Sequence, residues 1–186
     1  SNMYLMFRNA TALNQDISEW DVSSVTNMNS MFAASNAHCV FNQDIGEWDT
    51  SSVTDMSAMF NSWNGSVVFN HDLTKWNVCS VTSDLNFSNS SDLASENEPY
   101  FNTNGSCTLI DDSNISTAVN NWTTNRRSAG ETYGHIYNWE VGSVTNMDEL
   151  FDAADTFNDD ISKWDVRSVT SMNDMFKKAY AFNQDI

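Results

Sequence analysis

Basic residues are scarce in this chain: eight lysines and arginines stand against 25 aspartates and glutamates, a formal charge of −17 over 186 residues. That balance repels phosphate backbones and anionic lipid headgroups, and so argues against nucleic acid as a partner. Long apolar runs are missing as well. No stretch approaches the roughly 20 consecutive apolar residues that span a bilayer, so no membrane insertion is expected of this segment. No basic and then apolar leader opens the chain, and targeting information is either absent or outside the segment. Glycine occupies six positions, none of them in a phosphate-binding loop, and the few Lys and Arg form no cluster for an anionic substrate. The three cysteines, Cys39, Cys79 and Cys107, show neither Cys-x-x-Cys spacing nor a Cys/His pattern, which argues against zinc. His38, His71 and His135 fall at non-equivalent places, without a nucleophile or paired carboxylates at a spacing that suggests a site. No enzymatic activity, cofactor or metal is therefore expected.

What the chain does contain is a 40% hydrophobic fraction, enough to bury a core, arranged in repeats. Trp20, Trp48 and Trp76 fall 28 residues apart, and Trp139 and Trp164 fall 25 apart, each within a Trp-Asp/Asn/Glu-Val/Thr-x-Ser-Val-Thr core or a close variant of it. Self-similarity at this period signals a solenoid, in which no unit buries its apolar face alone. Ile17-x-x-Trp20-x-Val22 has the L-x-x-L-x-L spacing of a leucine-rich repeat, with Trp20 and Val22 expected inward on a short strand. Met28, Met31 and Phe32 then recur at three- and four-residue spacing, which predicts a short helix capped by Ser24 or Thr26. The Trp and Met stripes read as core.

The pattern breaks after Val81-Thr82, where Asp84 takes a Met position, and residues 88 to 107 are rich in Ser and Asn with the only proline, Pro99. The expected organisation is a first array over 1–87, a linker over 88–107, and a capping helix with the first repeats of a second array over 108–186. Ile115, Ala118, Val119 and Trp122 at helical spacing, behind Asp111, Asp112 and Ser113 as N-caps, form the cap. Residues 2–7 read as the end of a repeat and residues 182–186 as the start of one, so the chain is expected to be an excerpt of something longer.

Phe41-Asn-Gln-Asp-Ile45, Trp48 and Val53-Thr-Asp-Met56, and again residues 157 to 176, resemble the BspA-like family of leucine-rich repeats. Residues 114 to 151 are similar to the segment that begins such arrays in protist and algal members. The resemblance leaves out the stretch at 88–107. It implies an α/β solenoid, right-handed, with short parallel strands on one face and short helices on the other, carried by surface proteins that serve in adhesion or assembly. The 28-residue spacing exceeds the family's usual 25 or so, and the third copy has degenerate Met positions.

Residues flanking each Trp are expected to line the exposed side of the strand ladder: Glu19 and Asp21, Glu47 and Asp49, Lys75 and Asn77, Asn138 and Glu140, Lys163 and Asp165. Stacked carboxylates there would bind a cation or a basic partner, or would simply be a solvated face. A second column, Asp16, Asp44, Asp72, Asp160 and Asp185, is better suited to turn capping than to calcium. Thr26, Thr54, Thr82, Thr145 and Thr170 could suggest an ice-binding ladder, but capping of the expected helices is the better account. Seven Asn-x-Ser/Thr sequons, at Asn9, Asn64, Asn86, Asn89, Asn104, Asn114 and Asn121, are candidates for N-linked glycans if the protein passes through a eukaryotic secretory route. In an extracellular setting Cys79 and Cys107 could pair, leaving Cys39 free; three unpaired thiols are the alternative.

These features lead to an expected extracellular, cell-surface or virion-surface structural protein. Its repeats would mediate adhesion or assembly into a filament, wall or coat, with other protein subunits, copies of itself or surface glycans as partners. The alternative is a module that recognises a glycan, protein or calcium through the strand face.

Overall fold

A computed structural model describes residues 1–102 and 106–186, which divide into two compact units, Ser1–Phe101 and Asn102–Ile186. In the first unit the chain winds in coils joined by parallel bridges: Asn2 pairs with Asn27, Asn27 with Asp55, and Asp55 with Ser83. The N–H groups of Met28, Ser30, Phe32 and Ala34 donate to the carbonyls of Asp55, Ser57, Met59 and Asn61, one coil further on. Met56, Ala58, Phe60 and Ser62 repeat the pattern toward residues 83–89. Between these rungs lie tight turns closed by three-residue bonds, such as Met31 N–H to Met28 C=O.

The helices expected after Thr26 and its counterparts are replaced by these turns. An α-helix needs each N–H to reach the carbonyl four residues back. Here alternate N–H groups bond the adjacent coil instead, and Ser30 (φ 55°) and Ala58 (φ 54°) sit in the left-handed region, which a right-handed helix does not admit. The three- and four-residue apolar spacing still buries Met28, Met31 and Phe32. Nor do the expected strands run through the tryptophans. The strands are β1 (Ala34–Ser35), β2 (His38–Cys39), β3 (Ser62–Trp63) and β4 (Ser66–Val67), with β1 parallel to β3 and β2 parallel to β4. They occupy the stretch that the 25-residue repeats shorten. Asn2 and Asn27, like Asn146 and Ser171, are 25 apart, whereas the coils carrying these strands step by 28.

The core of this unit is a set of like-on-like ring stacks. Phe32, Phe41, Phe60 and Phe69 lie with centroids 4.4–6.0 Å apart, and Trp48 stacks on Trp76 at 6.3 Å and 6°. Each buried indole N–H finds a carbonyl of the preceding coil, Trp48 to Ile17 and Trp76 to Ile45, as a buried donor must. Full burial of such rings contributes about 1.5–3 kcal/mol apiece.

Residues 88–101, expected as linker, pack on this unit. Asp92 N–H bonds Val67 C=O, Leu73 N–H bonds Asn97 C=O, Leu93 and Tyr100 are buried, and Phe101 meets Phe87 edge-on at 5.0 Å. The Ser- and Asn-rich composition supplies a turn bond here, from the Ser91 hydroxyl to Ser88 C=O, and a short 3-10 turn at Ser95–Asn97.

The second unit opens with α1 (Ile115–Thr124), which buries Ile115, Ala118, Val119 and Trp122, and α2 (Arg126–Tyr133), capped by the Asn125 side chain and ended at Gly134 in the left-handed region (φ 78°). Asn114, one residue beyond the expected caps, is the N-cap of α1. Two coils follow, bridged at Asn146 and Ser171, with Trp139 stacked on Trp164 at 6.1 Å and Phe151 flanked by Phe157 and Phe176. Among the described residues, no helix is long and apolar enough to cross a membrane.

Candidate binding surfaces

The residues beside each tryptophan fall in turns and not on a strand face. Asp21, Asp49, Asn77 and Asp165 each accept a hydrogen bond from the N–H two residues on, at Ser23, Ser51, Cys79 and Arg167. This is the side-chain turn chemistry that Asp and Asn favour. The Ser23 hydroxyl and N–H hold the Asp21 carboxyl below its ordinary pKa, and bonds from the Arg167 side chain and N–H bring Asp165 to about 2. Lys75 reaches Glu47 on the preceding coil at 3.1 Å, and Lys163 lies over the Tyr137 ring at 4.2 Å. Glu19 and Glu140 are exposed, and Asn138 ends the short 3-10 turn Ile136–Asn138. The expected column therefore consists of separate turns and paired charges. No group of three or more His, Cys, Asp or Glu among the described residues is arranged to hold a metal ion.

The second aspartate column behaves the same way: Asp16, Asp44, Asp72 and Asp160 accept from the N–H groups of Ser18, Gly46, Thr74 and Ser162. The threonines do not cap helices. Thr54 donates both its N–H and its hydroxyl to Thr26 C=O, Thr82 does so to Thr54, and Thr170 to Thr145. In the second unit Thr145 follows no such coil, and the Asp112 carboxylate takes the carbonyl's place, accepting from Thr145 N–H, Thr145 hydroxyl and Asn146 N–H. Those bonds lower the pKa of Asp112.

An asparagine ladder escaped the reading of the sequence. Asn14 accepts from Asn42 N–H, Asn42 from Asn70 N–H, and Asn70 from Ala94 N–H and the Asn97 side chain; Asn158 accepts from Asn183 N–H. The signal was present in the Asn that follows Leu13, Phe41, Phe69, Phe157 and Phe182. Its bond runs to another coil, so spacing within one repeat does not reveal it.

The second unit carries a cleft of about 760 Å³ between α1 and residues 149–159. On one side, Trp122 Nε1 and the Arg126 guanidinium both donate to Asp159, at 2.8 and 2.7 Å, with Arg126 over the Trp122 ring. Opposite lie the exposed carboxylates of Glu149, Asp152 and Asp155. This arrangement offers hydrogen-bond acceptors and negative charge, with the Trp122, Phe151 and Phe157 rings buried behind them. It was not legible beforehand because its two sides come from segments some 30 residues apart, one in the cap and one in a repeat.

Asn9, Asn64, Asn86 and Asn89 are exposed. Asn114 is half-buried with its amide bonded to Leu109 C=O and Asp111 N–H, and Asn121 is half-buried on α1. Asn104 lies outside the described residues. Cys79 and Cys107 are each disulfide-bonded, while Cys39 is a free, buried thiol whose pKa burial raises.

The family model described as Mycoplasma protein of unknown function, DUF285, matches residues 1–100 and 114–186. No curated protein and no solved structure matches the chain.

Proposed function

The chain belongs to the DUF285 family, and from that premise we propose that it is an extracellular or surface-exposed structural repeat protein, built as a BspA-like leucine-rich-repeat solenoid and serving adhesion or assembly into a filament, wall or coat. The observation that carries this reading is the use made of the recurring polar residues. Asp, Asn and Thr at equivalent positions of successive coils are bonded into their own turns or into the adjacent coil, so the repeated chemistry builds coils. Disulfide-bonded cysteines support an oxidising compartment. The exposed sequons at Asn9, Asn64, Asn86 and Asn89 are compatible with glycans there. The reading assigns no catalytic role and no cofactor, and its partners are protein subunits, copies of this chain or surface glycans.

Immunogold labelling of intact source cells or particles tests the localisation: gold is expected on the outer surface, and labelling confined to the interior would reject it. Electron microscopy and sedimentation of the purified chain test assembly, while binding to intact cells tests adhesion. A chain that stays monomeric and binds no cell surface would overturn the functional part.

The cleft in the second unit favours a second reading, a ligand-binding module. Replacing Asp152 and Asp155 with Ala separates the two. Loss of binding to a glycan or protein array with assembly intact supports the module; unchanged binding removes the cleft from consideration.

A further inference from the structure

Asn64 is an exposed residue in the left-handed region (φ 56°), on the bend between β3 and β4, and its side chain has no hydrogen-bond partner among the described residues. The residue after it is Gly65. A Cβ there would stand 2.2 Å from Ala37 C=O of the preceding coil, so glycine is required by close approach. The preceding coil has the same bend at Asn36, also exposed and left-handed (φ 54°), but followed by Ala37.

From this pair of bends we propose that Asn64-Gly65 is a site of self-modification, in which the fold presents an asparagine amide for intramolecular deamidation. The Gly65 backbone nitrogen attacks the Asn64 side-chain carbonyl carbon. A new C–N bond closes a five-membered succinimide, the bond to Nδ2 breaks, and ammonia leaves with the proton from the Gly65 nitrogen. Water then opens either ring carbonyl to give an aspartyl or an isoaspartyl linkage. Only water is consumed, and no oxidant or cofactor takes part.

Two features of the bend favour the step. An amide bonded to a neighbour must break that bond to react, and Asn64 has none to break. A following residue with a side chain shields its own nitrogen, and Gly65 has no side chain. Asn36 differs chiefly in the second feature, because Ala37 carries a methyl group. The bend therefore holds its own control one coil away.

The product alters the coil. An isoaspartyl linkage lengthens the main chain by one methylene where Ser66 N–H bonds Ala37 C=O at 3.0 Å and β4 pairs with β2. It also adds a negative charge to the bend and destroys the Asn64-Gly65-Ser66 sequon, so a glycan on Nδ2 and the deamidated form exclude each other.

The test uses the full chain made in bacteria, so that Nδ2 carries no glycan, and held folded at neutral to mildly alkaline pH. Peptide mapping by mass spectrometry, with an isoaspartate-specific methyltransferase assay, should find Asp and isoAsp accumulating at 64 with Asn36 intact in the same sample. Ammonia release should match the summed conversion. Asn64→Gln should abolish the signal at that site. Ala37→Gly, which creates an Asn-Gly pair on the equivalent bend, should bring Asn36 into the reaction. Asn64 remaining intact, or converting no faster than Asn36, would overturn the proposal, as would an Ala37→Gly chain in which Asn36 stays inert. In the isoaspartyl product, hydrogen exchange at Ser66 should lose its protection; retained protection would reject the structural consequence.

Discussion

Tryptophan carries an apolar body and a donor that must be satisfied when buried, and the coils meet both needs at once. Trp76 lies under Trp48 and donates to Ile45 C=O, whereas Trp20 in the first coil stays 39% exposed. Trp76→Ala is expected to cost about 3–5 kcal/mol, and Trp20→Ala about 1 kcal/mol or less. Urea unfolding of the two variants checks the ranking, which equal losses would contradict. The turn carboxylates predict an acid response. Asp21, Asp112, Asp148 and Asp165 are held below their ordinary pKa by hydrogen bonds, so their stabilisation is complete above that value and is lost as pH falls through the lowered one. For Asp165 the window runs from 3.8 down to about 2. Melting temperature should therefore fall with acidification in this range, and Asp165→Asn should flatten that part of the profile. An unchanged slope in the variant would remove Asp165 from the account.

At the scale of the element, the turns that replace the expected helices show how the competition for backbone donors was resolved. An amphipathic pattern with three- and four-residue spacing suits a helix, but it equally suits any tight winding that returns a side chain inward every three or four residues. The adjacent coil supplies carbonyls at the right height, and they capture every second N–H. This difference has a measurable sign. Ala153 is exposed and left-handed (φ 57°), so Ala153→Gly relieves a strain of about 1–2 kcal/mol against a chain-entropy cost of about 0.5–1 kcal/mol. The variant should be as stable as the parent or slightly more so. In an exposed helix the same change would cost about 1 kcal/mol. Calorimetry of the variant distinguishes the two, and a clear loss would favour a helix.

For the whole molecule, charge sets the behaviour in solution. A net −17 on 186 residues is self-repelling, and its ion pairs are mostly between half-exposed or exposed groups of small individual worth. Raising salt toward about 1 M shortens the screening length to about 3 Å and should raise the melting temperature, since more repulsion than attraction is screened. A fall with added sodium chloride would show that the pairs dominate.

The repeat period, the burial of Trp48, Trp76, Trp139 and Trp164 and of Met28, Met31 and Phe32, and the helix buried through Trp122 were legible from residue types and spacing. Trp20, expected inward, and Met172 are exposed, because burial also needs a neighbouring coil to cover the ring or thioether. The asparagine ladder, the threonine bonds between coils and the backbone bonds that pack residues 88–101 were decided by tertiary structure, because each of these bonds has a partner 24 or more residues away. The cleft beside Trp122 belongs with them, its walls being brought together by the fold. The tryptophans' neighbours were visible as a column, yet only the tertiary structure shows that Asp21, Asp49 and Asn77 bend back to their own coils. A carboxylate can accept from water, a partner or its own backbone equally well, and local geometry makes the choice.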